Sequence, residues 1–138
     1  MDIRYNREER SYIATERIGS QTMKMEMMEW DYNEGSNTVY YNVSVCIYNK
    51  RKHYERNFNE ARITGNNPIA TIAVGLKMYK ELEKTVCESA ENRNWNVVFL
   101  VRWEDNRRRN AYEKLLVRYG YKIDKYDNTK VLIKRISR

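Results

Sequence analysis

Val97-Val98-Phe99-Leu100-Val101 is the longest purely apolar run in the chain. It is short, rich in β-branched and aromatic side chains, and shows no alternation. A strand with one wet face alternates, so this run reads as an interior strand covered on both faces. The covering layers are legible on either side of it. Upstream, Pro68 sits where a helix accepts its first-turn proline, and Asn67 is placed to cap it. Ile69, Ile72, Ala73, Leu76, Tyr79, Leu82, Val86 and Ala90 then recur at spacings of three and four, which predicts a helix to about Ala90 with those residues inward. Downstream, a second helix is expected over roughly Asn106 to Tyr119, burying Ala111, Tyr112, Leu115, Leu116 and Tyr119. Gly120 is placed to end it in a left-handed cap.

The outer parts of the chain read as strands. Ser11 to Ile18 is the first. Met23, Met25 and Met27 alternate with Lys24 and Glu26 in a second, half-buried one. Asp31 to Asn37 is a turn cluster. Val39, Tyr41, Val43, Val45 and Ile47 alternate with more polar residues in a third, and Tyr54, Arg56, Phe58 and Glu60 suggest a fourth. Short connections favour an antiparallel meander. Two last strands, Tyr121 to Tyr126 and Lys130 to Ile136, flank an Asp127-Asn128 turn. The expected class is α/β (α+β), with a mixed, mostly antiparallel sheet, two main helices and the order β-β-β-β-α-β-α-β-β.

With 138 residues the chain fits one domain, expected over 1–138 with antiparallel strands in 1–63 and the helix-bearing part in 64–138. One His leaves little for zinc or triad chemistry, and no metal site is expected. Cys46 and Cys87 are far apart and in no CxxC pattern, so they read as reduced thiols packed as small apolar residues. The charged N-terminus lacks the apolar core of a secretory signal, and no run is long enough to span a bilayer. The expected location is the cytoplasm, or the virion in the case of a phage-encoded chain, with no membrane partner.

Net charge is +7, from 26 Lys+Arg against 19 Asp+Glu. Such an excess favours a polyanionic partner: nucleic acid, a phosphate-bearing cofactor or an acidic protein surface. Arg107-Arg108-Arg109 is the densest cationic run, with Arg102 and Trp103 beside it. It reads either as the solvated face of a helix start or as a patch for phosphate or an acidic partner, with Trp103 available for stacking. Three cations at a helix N-terminus sit slightly against its dipole, which favours a binding role.

Three stretches together resemble the GNAT superfamily of N-acetyltransferases, over about Arg62 to Ile136. Arg62-Ile63-Thr64-Gly65-Asn66-Asn67 is similar to that family's Arg/Gln-x-x-Gly-x-Gly/Ala loop between central strand and helix. Val97 to Val101 followed by Asp105-Asn106 looks like its strand ending in an Asn-bearing turn. Asn110-Ala111-Tyr112-Glu113-Lys114-Leu115, ending in Tyr119-Gly120-Tyr121, is similar to its Asn-x-x-Ala…Tyr-Glu-Lys-Leu-Gly-Phe signature.

The resemblance implies an acetyl-CoA-binding protein that transfers an acetyl group to an amine. Arg62, Thr64, Gly65, Asn66, Asn67 and Asn106 would hold coenzyme A, backbone N–H groups at a helix N-terminus meeting its pyrophosphate. Tyr112 would protonate the departing thiolate and Glu60 would deprotonate the amine. Two departures are visible. Asn67 stands where the family has a small residue, and counting back from Gly120 puts Leu116 at the acid position, with Tyr112 one turn earlier. Tyr112 also reads as a core residue, Glu60 as a solvated strand carboxylate and Arg62 as a surface arginine. The alternative is a non-catalytic basic module of the same fold, binding nucleic acid or assembling with proteins, as a phage-encoded protein would.

Overall fold

The computed structural model describes residues 1–49, 68–103, 110, 113, 114 and 116–137, with only the backbone of 47–49 and 68–72. The protein is α+β. Strands β1 (Asp2–Asn6), β2 (Ser11–Ile18), β3 (Gln21–Asn33), β4 (Thr38–Asn49), β5 (Asn96–Val101), β6 (Lys122–Tyr126) and β7 (Thr129–Ile136) form a mostly antiparallel sheet in the order β1-β2-β3-β4-β5-β7-β6. Helix α1 (Pro68–Asn92) joins β4 to β5. The chain divides into two compact units, Met1–Met28 with Ser44–Ser89, and Glu29–Val43 with Ala90–Arg138.

In the first unit β2 lies between β1 and β3, antiparallel to both, with Tyr5 opposite Tyr12 and Met25 opposite Ala14. Gly19 takes φ 61° in the two-residue connection between Ile18 and Gln21, the left-handed conformation that a type II′ hairpin asks of its first central residue. Met23, Met25 and Met27 are buried while Lys24, Glu26 and Met28 are half-buried, so the period of two holds. Helix α1 begins at Pro68 as expected and buries Met78, Tyr79, Leu82 and Val86 here. Gly75 brings it close to β3: a Cβ there would stand 3.7 Å from Met23 Sδ.

In the second unit β5 is an interior strand. It pairs in parallel with β4, from Thr38–Asn96 to Asn42–Leu100, and antiparallel with β7, from Val97–Ile136 to Val101–Leu132. None of Val97 to Val101 is more than 7% exposed. Val98, Leu100, Val131 and Ile133 cluster on one face with Tyr40 and Tyr126 packed against them. On the other face Phe99, fully buried, meets Tyr41 at 6.1 Å between ring centroids. Asp127 and Asn128 turn the β6–β7 hairpin with φ 52° and 64°, the two positive values of a type I′ turn.

Several expectations need correction. A strand precedes Ser11: Asn6 Oδ1 accepts from the N–H groups of Glu8 and Glu9, folding the chain back so that Asp2–Asn6 pairs with β2. The turn after the methionines is shorter than Asp31 to Asn37, because β3 runs on through Asn33 and the turn occupies 34–37. On α1, Ala73 is exposed and Leu76 half-buried, whereas Met78, outside the predicted stripe, is fully buried.

The predicted strand at Tyr54 to Glu60 lies outside the described residues. So does most of the second helix: Asn110, Glu113, Lys114 and Leu116 are helical, and a 3-10 turn over Val117–Tyr119 follows. Leu116 and Tyr119, expected buried, are half-buried. Gly120 ends this segment at φ 93°, as anticipated. The Tyr121 N–H donates to Leu116 O and the Gly120 N–H to Val117 O, each at 3.2 Å. That pair of bonds is the Schellman cap, which serves carbonyls the helix would leave open.

Candidate functional site

A gathering of polar and aromatic side chains in the second unit lies where the parallel β4–β5 ladder ends. Leu100 is the last residue of β5 paired with β4, and its partner is Asn42. Two residues after Leu100, Arg102 turns its guanidinium back: Nε donates to Asn42 Oδ1 at 3.4 Å. The same guanidinium stands 5.5 Å from the ring centroid of Trp30 and 5.7 Å from that of Tyr126. Both distances are within cation–π range. Tyr126 packs on Tyr40 at 5.3 Å between centroids and donates its hydroxyl proton to Asp31 Oδ2 at 3.3 Å. The residues come from β3, β4, the position just past β5 and the last residue of β6; β5 and β7 lie between β4 and β6 in the sheet, so Tyr126 meets Tyr40 over the cluster both pack on and not as a strand neighbour.

Tyr126 holds its proton more tightly than a free tyrosine. Partial burial is the largest cause, and the Asp31 carboxylate, the hydrogen bond to it and Tyr40 act the same way, while Arg102 opposes them. Trp30 is 53% exposed. Among the described residues no carboxylate is ion-paired with Arg102. The arrangement therefore offers a flat apolar surface beside a fixed cation, which suits a planar or anionic ligand. Among the described residues no group of His, Cys, Asp and Glu could hold a metal ion, and Cys46 and Cys87 are half-buried and not joined in a disulfide.

A second polar group braces the opposite end of β5. Asn37, at φ 52°, donates from Nδ2 to Asn94 O and accepts from the Tyr32 hydroxyl at 2.7 Å, while its carbonyl accepts the Asn96 N–H at 2.9 Å. Tyr32 and Trp95 rings lie 5.5 Å apart, with Arg93 over Trp95 at 4.9 Å. These bonds fasten the β3–β4 turn to the entry of β5. They read as scaffold.

Of the residues singled out from the sequence, Arg102 and Trp103 are described. Arg102 is in the cluster, but its aromatic partners are Trp30 and Tyr126; Trp103, the expected stacking residue, is half-buried. Tyr112, Glu60, Arg62, Thr64, Gly65, Asn66, Asn67, Asn106, Arg107, Arg108 and Arg109 lie outside the described residues. Sequence reading missed Trp30, Asp31, Tyr40, Asn42 and Tyr126. Trp30 alone carried a signal, as a tryptophan set among Glu29, Asp31 and Asn33 where a strand gives way to polar residues. No helix among the described residues is long and apolar enough to cross a membrane. Comparison with protein-family models, with curated proteins and with solved structures gives no match to this chain.

Proposed function

We propose that the protein is a GNAT-like domain that binds acetyl-CoA, with acetyl transfer to an amine as the associated reaction. The observation that carries this reading is the β4–α1–β5 crossover. In a sheet otherwise antiparallel in its described pairings, β4 and β5 run parallel with a 25-residue helix between them. Two parallel neighbours need a crossover of this length, and a helix in it begins with N–H groups that have no intrahelical partner. Those unpaired N–H groups and the dipole favour phosphate at that terminus.

The resemblance places the cofactor loop, Arg62 to Asn67, just before Pro68, where α1 begins. The amine would attack the thioester carbonyl, a backbone N–H on the neighbouring strand would polarise it, and an acid would protonate the thiolate that leaves. Arg62, Thr64, Gly65, Asn66, Asn67 and Asn106 are the proposed cofactor contacts, with Tyr112 as acid and Glu60 as base.

Calorimetric titration of the full chain with acetyl-CoA tests the reading. Saturable binding that Gly65→Val removes, in a variant that still melts cooperatively, is the expected result. Absence of binding to the folded wild type would sink it.

A further inference from the structure

Charge is not spread evenly along this chain. Residues 1–101 carry 14 Lys+Arg and 14 Asp+Glu, whereas residues 102–138 carry 12 against 5, so the whole excess of +7 begins at Arg102. Lys114, Arg118, Lys122, Lys125, Lys130 and Arg135 of that segment are exposed. Arg102, its first cation, is held against aromatic rings. Segregated charge of this kind is an electrostatic footprint for a polyanion.

The cluster at Arg102 adds what a plain basic patch lacks. More than half of the Trp30 surface faces water, an unusual state for the largest apolar side chain, and among the described residues it is the most exposed of the large hydrophobic side chains. It is held in place by Arg102, which Asn42 and Tyr126 hold in turn. An arginine has five N–H donors in a rigid fork, and the hydrogen bond to Asn42 uses one. A flat π-surface beside a cation with donors to spare matches one repeating unit: a base with its phosphate. The base must present its face, which it does in a single strand and not inside a duplex.

We infer that Trp30, Arg102 and Tyr126 form a binding site for single-stranded nucleic acid. A base stacks on the indole, Arg102 contacts a neighbouring phosphate, and the basic segment from Arg102 onward supplies sequence-independent attraction. The site stands apart from the cofactor reading, and the acetyl-CoA titration does not bear on it.

The test is fluorescence anisotropy with labelled oligo(dT) and oligo(rU) of about 20 nucleotides and a duplex of equal length, between about 50 and 200 mM salt. Wild type is expected to bind the single strands more tightly than the duplex, with affinity falling steeply as salt rises. Trp30→Ala should weaken single-strand binding about tenfold or more, Trp30→Phe should keep most of it, and neither should shift the melting curve. Arg102→Ala should lower the log–log salt slope by about 0.7, one phosphate contact on a single strand. A preference between the DNA and RNA strands would name the sugar and support the site equally. No single-strand binding by wild type at the lowest salt overturns the inference. So does Trp30→Ala binding as wild type does, or a duplex bound at least as tightly as either single strand.

Discussion

Tyr126 and Asp31 are 95 positions apart in the chain, and the tyrosine donates its phenolic proton to the Asp31 carboxylate at 3.3 Å. Partial burial disfavours the phenolate, and ionising Tyr126 would also set a second anion against Asp31, so the phenol's pKa rises above its usual value of 10.0. The linkage has a definite sign. A phenol whose pKa is higher folded than unfolded makes the folded state bind more protons between the two values. Its stabilisation is complete below about pH 10 and is lost as pH climbs through the raised folded value. Alkaline titration of phenolate absorbance, wild type minus Tyr126→Phe, should therefore show one tyrosine ionising later than an ordinary one. Asp31→Asn should move that tyrosine back down. A difference curve centred at or below pH 10 would contradict the contact.

The same pair marks the limit of what the sequence discloses. Elements with a repeat were legible: the Met23–Met25–Met27 alternation, the α1 periodicity from Pro68, and the uniformly apolar β5 each reach the structure nearly as read. Elements set by a local device were less so. The strand Asp2–Asn6 has no apolar alternation and exists because an Asn6 turn returns it to β2. The aromatic–cation cluster was legible only at Arg102. Trp30, Asn42 and Tyr126 become its neighbours through tertiary packing, a long-range property that no local pattern encodes.

Gly75 should be replaceable with profit. Its φ is not in the left-handed region, and an added Cβ would meet Met23 Sδ at 3.7 Å and Cε at 3.9 Å, ordinary contact distances. Glycine inside a helix costs roughly 0.5–1 kcal/mol relative to alanine. Gly75→Ala is therefore expected to raise stability by about that amount in chemical denaturation at unchanged m-value. A loss would mean that α1 and β3 approach more closely than these distances.

Gly120 should behave in the opposite way. It sits at φ 93° as the C′ residue of a Schellman cap, and its Cβ position is 3.4 Å from Lys134 Cε. The lysine methylenes can shift, so the cost comes mainly from the backbone. Gly120→Ala should destabilise by about 1 kcal/mol or somewhat more. Because the cap lies between Leu116 and Tyr121, amide exchange at Tyr121 should quicken more than at Val98 or Leu132 in the sheet. An unchanged Tyr121 amide would disprove the cap.

Asn37 offers a test that separates backbone strain from side-chain bonding. It holds φ 52°, where asparagine and glycine are tolerated and alanine pays a penalty. Its amide also donates to Asn94 O and accepts from Tyr32 Oη, bonds that tie the β3–β4 turn to the start of β5. Net hydrogen-bond contributions are about 0.5–1.5 kcal/mol each, toward the lower end for exposed groups such as these. Asn37→Gly keeps the conformation and loses the two bonds, so it should cost about 1 kcal/mol. Asn37→Ala loses both the bonds and the conformational ease, so it should cost about 2–3 kcal/mol. Tyr32→Phe removes only the hydroxyl's bond and should cost least, about 0.5 kcal/mol. Equilibrium denaturation of the three variants gives the ordering. If alanine and glycine at position 37 prove equal, the backbone there is unstrained and the bonds alone matter. If glycine matches wild type, the turn is held by conformation and the Asn94 contact contributes nothing.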